Sequence, residues 1–407
     1  MTIKPATDPR ALSSMLGSAI RIAQRMGIHD ESSNRRQPAL EAELRRRLWW
    51  SVVLFDARIS EMTDFRLGLL LPTWDCKPPL NANDFDFRSE MKMAPEVHGM
   101  TSEALFTVVR AEFGDFTRQC SFHLEFINPA LKSVARCHQR GTDGDELALL
   151  GQTIEEKYLR YCDPQNPLQF LTIWWARGQL AKTRFIKYLA ECTIGTTERT
   201  DAQRDAGISY ALSMLECDTK IMSSKLTKGY RWLIYLNFPF PAYVHIVHDL
   251  RKRPLSDHAH VAWKIMSENC AARFTDVDDR DKFMDKKENP FFKIFAGVVF
   301  QAWTAREAAL RSMGEDTMEP PMIVTQIRDR MASIDKTEFD RRIQHGVGEE
   351  LGEDNSDILH GTDAAASYQD FLDIDPSIFP SFQEQASMGL NWGWPTANFH
   401  PMMGNGW

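Results

Sequence analysis

The sequence lacks a run of roughly 18 apolar residues of the kind needed to span a bilayer, and its opening residues, MTIKPATDPR, lack the apolar centre of a secretory leader. Both absences lead us to expect a soluble intracellular chain. No stretch alternates apolar and polar residues as a half-buried strand would, and no internal repeat stands out. The seven cysteines lie 17 to 53 residues apart with no CxxC pair, which excludes a zinc finger and gives no disulfide framework. Reduced, mostly buried thiols are the expectation. GxSxG, GxxxxGK[ST] and GxGxxG are all missing, so no nucleophile elbow, phosphate loop or dinucleotide fingerprint is present. Isolated acids such as Asp115, Glu125, Glu155 and Glu156 reveal no catalytic pairing.

Basic residues are missing from one part of the chain. From Ile343 to Trp407 there is no Lys or Arg but ten Asp or Glu, so the net charge of -8 leaves about +2 on everything before. A nearly neutral body with no basic face does not read as a nucleic-acid binder. The tail interleaves its acids with Phe, Leu, Ile and Trp, as in SYQDFLDIDPSIFPSF, and has no regular period. We expect it to be disordered in isolation, with apolar side chains kept accessible by the acids. Phe371, Leu372, Phe379, Phe382, Trp392 and Trp394 are the candidate contacts to a coactivator groove. A solvated tail without such a role is the plainer alternative.

What the chain does contain is helical periodicity. Residues 11–26 carry Leu12, Met15, Leu16, Ala19, Ile22, Ala23 and Met26 on one face and stop at Gly27. The stretch EAELRRRLWWSVVLFDARIS, within a helix from about 39 to 65, places Leu44, Leu48, Val52, Phe55, Ile59 and Met62 in one stripe expected to be buried. Glu41 precedes Arg45 by four and Glu43 precedes Arg47 by four, which predicts two ion pairs on a solvated outer face. Asp56 and Arg58 are read as a buried ion pair. Further helices are expected over about 102–124, 145–162, 168–192, 200–222, 228–236, the segment after FPFP that carries Tyr243, 256–274 and 290–312, with a last amphipathic stretch to about 343. The fold class is all-α.

Two groups invite a site. Trp174 and Trp175, with Arg177 and His245, are candidate lining for a ligand pocket between helices, with Trp49 and Trp50 as a second tryptophan pair; core packing is the plainer reading of both pairs. His245, His248, His258 and His260 cluster in sequence, but no Cys or carboxylate joins them at zinc-ligand spacing, so no metal site is assigned.

AIRIAQRMGIHD, EAELRRRLWWSVVLFDARIS and PTWDCKPPLNANDFDF, between Ala19 and Phe87, resemble the middle homology region of fungal zinc binuclear cluster transcription factors, the fungal-specific transcription factor domain. FINPALK, IEEKYLRYCDPQNPLQFLTIWWARGQLAK, FPFPAYVHIVHDLRKRP and FFKIFAGVVFQAWTAREAA extend the resemblance to roughly residues 11–335, toward the subset that regulates secondary metabolism. The family's usual six-cysteine zinc cluster is absent from this sequence, and DFRLGLLLP stands where the family has a Gly-Arg-Pro loop. The resemblance implies a multi-helix regulatory domain over 11–343, after a disordered 1–10 and before an acidic, aromatic tail over 344–407. It implies a nuclear transcriptional regulator, with a cytoplasmic form as the alternative. Zinc is expected only with an upstream cluster, and no cofactor or direct DNA contact from these residues alone. The expected partners are coactivator or transcription machinery, a homodimer or heterodimer, and a small apolar ligand; no membrane association is expected. A different class stays open: a helical body that serves as a biosynthetic enzyme or metabolite binder.

Overall fold

The computed structural model describes residues 9–62, 70–71, 73–96, 101–120, 122–124, 143–194, 200–274, 290–314 and 319–332. Among these residues there is no strand, as the periodicity requires. They fall into two compact units, one ending at Pro241 and one beginning at Ala242.

The first unit contains α1 (Pro9–Arg25), α2 (Ala39–Met62), α3 (Leu105–Thr117), α4 (Asp143–Thr153), α5 (Pro167–Ile194) and α6 (Asp201–Ser223). α1 ends in a left-handed Gly27, φ 68°. The Gly27 amide donates to Gln24 and the Ile28 amide to Ala23, which satisfies carbonyls the helix end would otherwise leave open. Ile28 and Ala23 then enter one apolar cluster with Leu12, Leu16, Ile20, Trp49, Trp50 and Trp74. Met15, Ile22 and Met26, expected on the buried side, are exposed.

The buried face of α2 is not the stripe that spacing predicts. Leu44 and Leu48 are about half exposed, while Ala42, Glu43, Trp49, Trp50, Val53, Asp56, Ile59 and Ser60 are buried. Val52 and Phe55 pack against the cluster from its margin. The reason is an irregular strap, residues 70–96, that folds back over the polar side of α2. Its main-chain atoms carry several of the contacts, beside the buried side chains of Leu70, Trp74, Cys76 and Phe87. The Lys77 amide donates to Glu31 at 3.1 Å, the Leu80 amide to Glu43 at 3.1 Å and the Leu70 amide to Asp56 at 3.0 Å. Trp50 Nε1 donates to the Lys77 carbonyl at 2.9 Å, and Arg118 to that of Trp74 at 2.8 Å.

Arg46 and Arg47 are therefore largely covered. Arg46 pairs with Glu31 at 2.6 Å; Arg47 pairs with Glu43 at 2.9 Å and with Asp84 at 2.6 Å. Burial pushes the Glu43 carboxyl above its ordinary range, and the hydrogen bonds from Arg47 and Leu80 only partly offset this. The pairing of Arg45 with Glu41 expected from spacing is replaced. Arg45 donates to Asn34 Oδ1 at 2.9 Å and to the Met26 carbonyl, an acceptor left open at the end of α1, and Glu41 is exposed. Asp56 holds the Leu70 amide, whereas Arg58 donates to Glu61 at 2.7 Å.

α4 does not run on evenly to residue 162 as the sequence suggests. It passes into one π-helical turn, Ile154–Tyr158, then a 3-10 turn, Leu159–Tyr161. Similarly, 228–237 is a succession of short turns, Lys228–Tyr230, Arg231–Ile234 and Tyr235–Asn237, instead of one helix.

The second unit is formed by most of α7 (Phe240–Lys252), with α8 (Ala259–Phe274), α9 (Pro290–Ser312) and a helix over 322–332. Pro241 suits the first turn of α7, where no amide donor is needed. Tyr243 donates to Asn269 Oδ1 at 2.8 Å and meets Phe295 edge-on at 5.1 Å, while Trp263 and Trp303 meet edge-on at 5.7 Å. No helix among the described residues is long and apolar enough to cross a membrane.

Candidate functional site

α5 and α6 form the most extensive helix pair of the first unit. Two glycines let them approach closely. A Cβ on Gly178 would lie 3.3 Å from Cys217 Cβ, and one on Gly207 would lie 2.5 Å from the Tyr188 ring. Beside this seam opens a cleft, which is the candidate site. α5 contributes Trp174, Trp175, Gly178, Gln179 and Lys182, a spacing that keeps all five on one side. Met214, Cys217, Asp218 and Ile221 do the same from α6. Arg58 of α2 closes one end, with Ile234, Asn237, Phe238, Pro239 and Pro241 closing another. The cleft holds about 590 Å³ of empty space with its open mouth included, of which the centre of a water molecule reaches about 80 Å³.

Trp175 is fixed by its neighbours on α3, meeting Phe106 at 5.5 Å and Phe113 at 5.6 Å edge-on. The Arg110 guanidinium sits over Phe106 at 5.5 Å and Trp175 at 5.9 Å, and burial lowers its pKa to about 10. Trp174 has Phe170 beside it at 6.2 Å, with Arg177 and Lys220 over its ring at 5.6 and 5.8 Å.

One wall is polar. Glu61, almost wholly buried, receives Lys182 Nζ on both oxygens, at 2.6 and 2.7 Å, as well as Arg58 at 2.7 Å. Burial alone would raise the Glu61 pKa, but the two cations outweigh it and hold the carboxyl at about 2. Burial lowers the pKa of Lys182 more than Glu61 restores it. Cys217, in the same cleft, is an inert thiol, pushed up to about 12 chiefly by burial.

Of the sequence-predicted lining, Trp174 and Trp175 are in this cleft. Arg177 is not among its walls; it forms a two-pronged pair with Glu155 at 2.9 and 3.0 Å. His245 is buried in the second unit. There, His258 contacts Asp249 at 2.7 Å, and His248 is lowered to about 4, first by burial and then by Lys252 and Arg251. Among the described residues no group of three or more His, Cys, Asp or Glu is placed to hold a metal ion. Phe371, Leu372, Phe379, Phe382, Trp392 and Trp394 lie outside the described residues. Arg58, Lys182, Asp218 and Asn237 are cleft residues that sequence reasoning missed. The step from Trp174 through Gly178 to Lys182 along α5 was the available signal.

Comparisons with known proteins find similarity to fungal transcriptional regulators. Residues 3–101 match the family described as the fungal specific transcription factor domain, which bears out the resemblance carried by residues 19–87. Transcriptional regulator AacuB of Aspergillus aculeatus is 48% identical over 337 residues, covering 82% of this chain and 45% of the relative. Transcriptional regulator nsrM of Aspergillus novofumigatus is 46% identical over 337 residues, covering 81% and 44%. The aurofusarin cluster transcription factor aurR2 of Gibberella zeae is 27% identical over 321 residues, covering 77% and 45%. The chain thus spans less than half the length of these curated relatives. No solved structure matches it significantly.

Proposed function

We propose that this chain is the helical regulatory portion of a nuclear transcriptional regulator serving a biosynthetic gene set, with an acidic, aromatic C-terminal segment that recruits the transcription machinery. The carrying observation is the agreement, over four fifths of the chain, with two proteins named as transcriptional regulators. The aurofusarin cluster factor supports the biosynthetic setting. These relatives carry regulator names and no enzyme name.

In this reading residues 11–343 form the regulatory body, which pairs with a second copy or a related regulator, and residues 344–407 carry the activating function. The test is a reporter fusion. Residues 344–407 joined to an unrelated DNA-binding domain should activate transcription. Ala at Phe371, Leu372 and Phe379 together should reduce that activation several-fold, because their apolar side chains supply the groove contacts. A wild-type tail that leaves the reporter at background would refute the assignment.

A further inference from the structure

We propose that the cleft beside the α5–α6 seam binds an uncharged, flat aromatic molecule bearing hydroxyl or carbonyl groups. Its walls are mainly apolar, with Trp174 and Trp175 on α5 facing Met214 and Ile221 on α6. Gly178 and Cys217, both in the lining, mark where the two helices meet, a Cβ on Gly178 lying 3.3 Å from Cys217 Cβ. Walls that include two indoles favour a planar ring, which gains offset or edge-on contacts that a puckered ring of equal size does not.

The charges decide the rest of the ligand. Arg58 and Lys182 bring two positive charges to the cleft, while Asp218 in its wall and Glu61 behind it bring two negative ones. An anionic ligand would surrender its hydration and find Arg58 and Lys182 already engaged by Glu61. Neutral hydrogen-bonding groups meet a better match. Asn237 spends one amide hydrogen on the Leu233 carbonyl at 3.1 Å and keeps Oδ1 as an acceptor, and Gln179 presents both amide functions. A phenolic hydroxyl or ring carbonyl is complementary to both.

The inference goes beyond the regulatory reading and is tested separately, by calorimetry on the purified full chain with 2-naphthol as the probe. We expect one saturable site for 2-naphthol, and at least about tenfold weaker binding of naphthalene-2-sulfonate, its anion, and of decahydro-2-naphthol, its puckered counterpart. Asn237→Trp, at an exposed rim position, should obstruct the mouth and weaken 2-naphthol at least about tenfold while leaving the melting temperature near that of the wild type. Trp174→Ala should weaken binding from within; should it fail to fold, Asn237→Trp alone decides. Absence of saturable 2-naphthol binding, equal affinity for the sulfonate or the puckered alcohol, or unaltered binding in folded Asn237→Trp would each overturn the proposal. A silent tail in the reporter assay would leave this result untouched, and the reverse also holds.

Discussion

Replacing Glu61 by Ala removes a buried carboxylate that both Lys182 and Arg58 contact, at 2.6 and 2.7 Å. Two cations would be left in a poorly hydrated wall, repelling one another. Loss of one partner from such a buried group costs about 3–5 kcal/mol. The titration of Glu61 gives a similar size. Its carboxyl moves from 4.5 to about 2 on folding, and at about 1.4 kcal/mol per unit that is on the order of 3 kcal/mol. Because the folded value is the lower one, this contribution is present above pH 4.5 and disappears as pH falls toward 2. In a first unit of this size, the loss corresponds to roughly 6–20 °C in melting temperature. Urea denaturation followed by helix ellipticity at pH 6 is the assay. The cost should shrink as pH rises, since Lys182, already lowered by burial, can then shed its proton. Glu61→Leu combined with Lys182→Met should recover part of the loss. A Glu61→Ala chain within about 1 kcal/mol of the wild type at pH 6 would refute this account, that being the size of an ordinary surface pair.

Gly207→Ala would place a Cβ 2.5 Å from the buried Tyr188 ring; we expect a loss of about 1–2 kcal/mol in urea denaturation, relieved when Tyr188→Leu is added. Glu43→Ala removes the acceptor of the Leu80 amide and of Arg47, so trypsin should cut native chains faster at Arg88 and Lys92 in the freed strap, with stability lower by about 3 kcal/mol. Cys76, Cys217 and Cys270 are each pushed up to about 12, chiefly by burial. At pH 8 a thiol-exchange reagent should therefore leave them unmodified by mass spectrometry until denaturant is added.

The helices were legible because apolar spacing and stop signals act locally: Gly27 ends α1, and Pro167, Pro241 and Pro290 stand in the first turns of their helices. Which face each helix buries was less so. Leu44 and Leu48 have the right spacing for a core stripe, yet the strap covers the opposite side, a contact made more than thirty residues along the chain. Spacing likewise paired Glu41 with Arg45, but it could not register that the end of α1 offers an open carbonyl nearby. Trp174 and Trp175 pointed to the cleft. Arg58, Asp218 and Asn237 did not, because they meet there only after three separate segments have packed.

The strap over α2 is gripped through several of its peptide groups as well as through the buried side chains of Leu70, Trp74, Cys76 and Phe87. Where only the peptide group is held, as at the exposed Lys77, almost any residue presents the same amide and carbonyl, so the sequence can drift there. Proline is the exception at Leu70, Lys77 and Leu80, where it would delete the donor. Glu31, Glu43 and Asp56 have no such freedom, since each carboxylate serves a particular amide at a particular distance. In this part of the molecule the helix and its approach are the lock, and the strap is a key with teeth of backbone as well as of side chains.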